Sequence, residues 1–151
     1  MVATSDMLLE RPFMQPRNSE SIPETVEAAI LSNWKKLTNT DAYLALLEIL
    51  IATRTDLKLQ ERIKDKLEMW NDELDQLALR TFRSTTGTDE DVIAIQTMTR
   101  SLMRGLVIQD RYSSNPEETT NLIHRWIDFI SPELELRKNA PKESGAKAGK
   151  A

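Results

Sequence analysis

Between Asp56 and Phe82 an apolar residue recurs every three or four positions, at Leu59, Ile63, Leu67, Trp70, Leu74 and Leu77, with Phe82 at the end. That spacing draws one stripe down an α-helix, and a helix of this length makes roughly seven turns. Its other face is dense in charge, with Lys58, Glu61, Arg62, Lys64, Asp65, Lys66, Glu68, Asp72 and Glu73. A helix built this way needs packing partners along one side only. Asp72, Glu73 and Asp75 read as part of the solvated face, because nothing in the pattern separates their proton affinities as an acid/base pair requires.

The remaining segments supply partners of the same kind. Ser21-Ile22-Pro23-Glu24 predicts a helix start, with Ser21 as cap, Pro23 in the first turn and Glu24 closing a capping box. Ile22, Val26, Ile30, Trp34 and Leu37 then share one face. A second helix is expected from Thr40-Asp41 to about Thr53, apolar nearly all round and so buried on most sides. Glu48 stands alone there. It either pairs with a base or a ligand group, or it faces water. Residues 84–87 read as a loop, after which Thr88-Asp89-Glu90-Asp91 places acid where the helix dipole favours it. The fourth helix carries Val92, Ile95, Met98, Leu102 and Leu106 and runs to about Tyr112. Asn115-Pro116-Glu117-Glu118 is a strong restart, and the fifth helix ends or bends at Pro132. No alternating strand pattern and no hairpin turn is visible. The expectation is an all-α bundle of about five main helices at 21–134, after a leader at 1–20 with at most a short helix near 7–10, and before a basic tail at 135–151.

Composition removes whole classes of chemistry. The chain has no Cys, one His and four Gly. Thiol nucleophiles, Cys-based zinc and His-pair metal motifs are excluded. Gly87 and Gly105 stand alone, so no phosphate-cradling loop is expected in the body. No metal, cofactor or catalytic residue is therefore expected, and His124 reads as a structural or surface residue. Net charge is −4, and residues 137–151 carry +4, which leaves −8 on the body. An acidic body suits a phosphate backbone poorly. The stretch around 42–52 is too short to span a bilayer, and no secretion signal precedes it. A cytoplasmic protein without membrane contact is expected.

Three features hint at binding. Gly105 sits mid-helix, where it costs about 1 kcal/mol against Ala, which suggests close approach of another helix within the subunit or across a boundary. The last helix offers Leu122, Ile123, Trp126, Ile127, Phe129 and Ile130, more than one stripe, which suggests an identical partner subunit. Trp34, Tyr43, Met69, Trp70, Met98 and Met103, spread over several helices, either line a small-molecule cavity or form ordinary core.

The run from Thr40 through Ala52-Thr53-Arg54-Thr55-Asp56-Leu57-Lys58-Leu59 to Ile63 resembles the C-terminal regulatory domain of TetR-family transcriptional repressors. So does Leu102-Met103-Arg104-Gly105-Leu106-Val107 followed by a Pro-Glu-Glu restart and an apolar last helix. The likeness covers residues 21–134. It implies that helices near 88–112 and 116–131 pair with those of a second copy into a four-helix bundle, through Met103, Gly105, Leu106, Leu122, Ile123, Trp126 and Ile130. It also implies an effector cavity drawing on Trp34, Tyr43, Leu47, Met69, Trp70, Met98 and Leu102. The expected partners are a second copy and a small apolar or amphipathic effector. DNA is expected to be reached only through a headpiece for which the residues before Ser21 leave no room. The expected function is effector sensing and dimerisation for a TetR-like repressor. The alternative is a stand-alone helical protein that heterodimerises with an intact repressor.

Overall fold

A computed structural model describes residues 23–137. The chain forms α1 (Val26–Asn33), which runs into a π-helical turn (Trp34–Thr38), then α2 (Asp41–Ala52) and α3 (Leu57–Thr81). A short strand β1 (Phe82–Ser84) leads to α4 (Asp89–Asp110) and α5 (Pro116–Ile130). A 3-10 turn (Ser131–Glu133) and β2 (Leu134–Leu136) follow. The architecture is all-α, with five α-helices and one two-stranded ribbon among the described residues.

Each helix begins where a side chain can satisfy its free N–H groups. Thr40 accepts from Tyr43 N–H at 3.2 Å, and Asp56 accepts from Leu59 N–H at 3.0 Å. Asn115 accepts from Glu117 N–H at 3.1 Å, and Asp91 accepts from Thr88 N–H at 2.7 Å. The first helix departs from expectation. Its cap is Thr25, which accepts from Ala28 N–H at 3.0 Å, and Glu24 precedes the helix. Ser21 and Ile22, with the short helix near 7–10, lie outside the described residues.

The core gathers around α4, which packs against α3, α5, β1 and the π turn. Val92 and Val107 are fully buried, and Met103 and Leu106 nearly so. Ile30 and Trp34 reach this core from α1 and the π turn, and Tyr43, Leu46 and Leu47 from α2. Ile123, Ile127 and Ile130 bring one face of α5, at i, i+4 and i+7. Burying each such side chain contributes about 1.5–3 kcal/mol.

Two expectations about these elements are corrected. The second helix is not buried on most sides: Ile51 is 57% exposed and Glu48 faces water. Phe82 is no part of the third helix. It begins β1, which pairs antiparallel with β2 in the register Phe82↔Leu136, Arg83↔Glu135 and Ser84↔Leu134. Order therefore continues through residues 135–137, where the tail was expected to begin. Arg137 donates from its backbone N–H to Thr81 O at 2.8 Å and through Nε to Phe82 O at 2.9 Å. It also pairs with Asp89 at 2.7 Å. Strands of three residues are too short to show a period of two, so the pairing leaves no trace in the apolar pattern.

Candidate functional site

Helix α4 presents two faces with different chemistry. Its inner face carries Val92, Gln96, Thr99, Met103, Leu106 and Val107, all buried. Beside them runs a row of polar contacts to four other elements. Arg100 reaches Asp75 of α3 at 2.9 Å. Arg104 donates through Nε to the Tyr43 hydroxyl of α2 at 2.9 Å. Thr99 accepts from Trp126 Nε1 of α5 at 2.9 Å and donates to Ile95 O at 2.8 Å. The Thr38 hydroxyl of the π turn lies 3.9 Å from Met103 Sδ. Two buried donors, Trp70 Nε1 and Gln96 Nε2, have no acceptor among the described residues. A buried donor without a partner costs about 1–3 kcal/mol, so both mark places where polar chemistry is unfinished.

The outer face of α4 is apolar but open. Met98, Ser101, Gly105, Ile108 and Tyr112 recur at three and four and are all exposed, with Tyr112 at 88%. On α5, Leu122 and Phe129 stand two turns apart and are also exposed, Phe129 at 71%. Between the C-terminal end of α4 and the start of α5 lies an open groove of about 310 Å³. It is lined by Ile108, Gln109, Tyr112, Ser113, Glu118, Thr119 and Leu122. A Cβ placed on Gly105 would meet nothing within 4 Å. No described helix approaches Gly105 closely, so packing among the described residues does not account for that glycine.

The residues expected around an effector divide three ways. Trp34, Tyr43 and Leu47 are buried in the main core, and Trp70 and Leu102 are half-buried against it. Met69 and Met98 face outward, at 59% and 51% exposure. The residues expected at a subunit boundary divide as sharply. Met103, Leu106, Ile123 and Ile130 are buried inside this subunit. Trp126 is half-buried and held by its bond to Thr99, so of that set only Gly105 and Leu122 lie open. Phe129, read in the sequence as part of the apolar excess of the last helix, is open too, while Ile108 and Tyr112 were missed. Counting apolar residues on a helix does not say which of two apolar stripes faces inward.

Polar partners also went unseen. Asp75 leaves the solvated run of carboxylates to meet Arg100, because α3 and α4 pack side by side. His124 stands at the surface, with Nδ1 3.3 Å from Glu27 Oε1 of α1. No group of three or more His, Asp or Glu is placed to hold a metal ion among the described residues. No described helix is long and apolar enough to cross a membrane. Comparison with family models, curated proteins and solved structures yields no match to the chain.

Proposed function

We propose that this chain is the effector-sensing and pairing domain of a TetR-like transcriptional regulator. The observation that carries the reading is the open apolar stripe on the outer face of α4, continued by Leu122 and Phe129 on α5. Apolar surface arranged at helical spacing and left uncovered calls for a partner. The stripe is also self-matching. A two-fold axis at Gly105, with two α4 helices antiparallel, sets Met98 against Tyr112, Ser101 against Gln109, and Gly105 against itself. Those are the reciprocal contacts an isologous dimer needs, and the open space at Gly105 lets the two backbones close in. The unfinished polar chemistry on the inner face of the same helix supports the sensing half of the reading. An effector held between α2, α3 and α4 would favour one arrangement of the helices over another. In a TetR-like regulator that difference sets the spacing of two DNA readers and so releases the operator.

Sedimentation equilibrium tests the pairing. The expected result is a homodimer that Gly105→Arg converts to a folded monomer. A monomer at all concentrations, or a dimer indifferent to that substitution, overturns it. The sensing half is tested by thermal shift against amphipathic small molecules, where saturable stabilisation is expected.

A further inference from the structure

We propose that the groove between α4 and α5 is a binding site for a small organic ammonium ion with an apolar body. The inference goes beyond the pairing and effector-sensing reading and rests on neither half of it. The connection between the two helices brings the walls together. The last turns of α4 give Ile108, Gln109 and Tyr112, and the first turns of α5 give Glu118, Thr119 and Leu122. The groove's volume of about 310 Å³ suits a small molecule.

The charge of the groove is one-sided. Its walls carry one carboxylate, Glu118, and no base. Ser113 Oγ stands 3.4 Å from Glu118 Oε2. That hydroxyl has a single proton, however, and lies closer to Asn115 O, at 3.0 Å. Arg111, beside the groove in sequence, is engaged by Asp41 of α2 at 2.8 Å. The last turn of α4 holds no basic residue, so the carbonyl end of that helix adds to the negative potential. The opposite pole, at the start of α5, is already met by the Asn115 cap and by Glu117 and Glu118.

Thr119 is an independent sign of a missing ligand. It is only 5% exposed, lines the groove, and makes no side-chain hydrogen bond among the described residues. Its oxygen has lone pairs for an N–H donor. Glu118 and Thr119 adjoin on α5, so both acceptors serve one end of the groove. Ile108 and Leu122 supply apolar surface, and the open ring of Tyr112 offers a face that attracts a cation. An anion would meet the Glu118 carboxylate, and a neutral molecule would gain nothing from it. A metal ion needs several ligands, and no group of three or more His, Asp or Glu is placed to hold one among the described residues. An ammonium ion uses the carboxylate and the hydroxyl together, and an apolar body on it covers Ile108 and Leu122.

The test uses the full 151-residue chain and calorimetric titration with benzylamine, phenethylamine and cyclohexylmethylamine at neutral pH. The matched alcohols and carboxylates serve as controls. At least one amine should bind saturably and more tightly than its alcohol, and the carboxylates should bind worst. Glu118→Gln should weaken that amine about fivefold, the upper range for an exposed ion pair, and leave the alcohol unchanged. Glu117→Gln removes the same charge from a neighbouring residue outside the groove, and should change the amine's affinity far less. Both positions are exposed, so neither substitution disturbs the core. An amine no tighter than its alcohol, equal losses from the two substitutions, an affinity unmoved by Glu118→Gln, or no saturable binding by any amine overturns the site.

Discussion

The two faces of α4 have nearly the same share of apolar side chains and opposite surroundings. The inner face meets α3, α5, β1 and the π turn, and its side chains are buried. The outer face, from Met98 to Tyr112, stays exposed among the described residues, with Ile108 and Tyr112 edging the groove toward α5. The inner face also holds polar groups that bond across elements, at Thr99, Arg100 and Arg104. The outer face has Ser101 and Gly105, small residues without such bonds across elements. A face built for the subunit's own core specifies its neighbours one bond at a time. A face built for a second copy needs shape and a symmetric order of sizes, and the proposed pairing asks the outer stripe to supply both.

The largest effect expected from this contrast is on the inner side. Met103→Ala removes a side chain that is 2% exposed at the centre of the core. It should cost about 2–5 kcal/mol of stability, read from urea unfolding. Met98→Ala, on the outer face and 51% exposed, should cost less than about 0.5 kcal/mol in the monomer. Equal losses at the two positions would erase the distinction between the faces.

Pairing comes next. Gly105→Arg adds a long charged side chain where the subunit leaves open space. The monomer should therefore be at least as stable as before, because Arg is a better helix former than Gly, while dimerisation weakens by about 2 kcal/mol or more, as for a central interface residue. Trp126→Glu is a poorer probe of the same face. The indole is bonded to Thr99, so its loss disturbs the subunit as well as any boundary.

Much of this was legible in the residues and some was not. The starts of α2, α3, α4 and α5 were marked by Thr40, Asp56, Thr88 and Asn115, because capping is a contact between near neighbours in sequence. The all-α class followed from the spacing of apolar residues. What escaped were the contacts made by distant segments. Asp75 looked like one carboxylate in an acidic run, and only the packing of α3 on α4 brings Arg100 to it. The β1–β2 pairing joins residues 82–84 to 134–136, and neither segment is long enough to announce a strand. Met103 and Ile108 are both apolar residues on one helix, yet one is buried and the other open. Which is which depends on the rotation of α4 against its neighbours.

The Asp75–Arg100 pair gives a smaller effect on the inner side. Its side chains retain 27% and 15% exposure, between a surface pair and a buried one. Asp75→Ala should cost about 1–2 kcal/mol, intermediate between those limits. A double-mutant cycle with Arg100→Ala should return most of that as coupling. A coupling near zero would mean that α3 and α4 are held together by apolar contact alone.

The smallest effects come from the two glycines of the α4 region, and here the sign separates the faces. A Cβ on Gly87 would collide with the Asp91 carboxylate and come within 3.0 Å of Ser84 Oγ. Both groups are committed, Asp91 to the Thr88 N–H at 2.7 Å and Ser84 to the Gly87 N–H at 2.8 Å. Gly87→Ala should therefore weaken the cap of α4 and cost about 1 kcal/mol. Gly105 has open space, and Ala is a better helix former there by about 1 kcal/mol. Gly105→Ala should raise the melting temperature of dilute, monomeric protein. In concentrated protein the added methyl separates two backbones that meet at the proposed axis, so the dimer should weaken by a similar amount. The stabilisation should thus shrink as concentration rises. A gain that is the same at every concentration would put Gly105 away from any boundary and break the proposed pairing of the outer stripe.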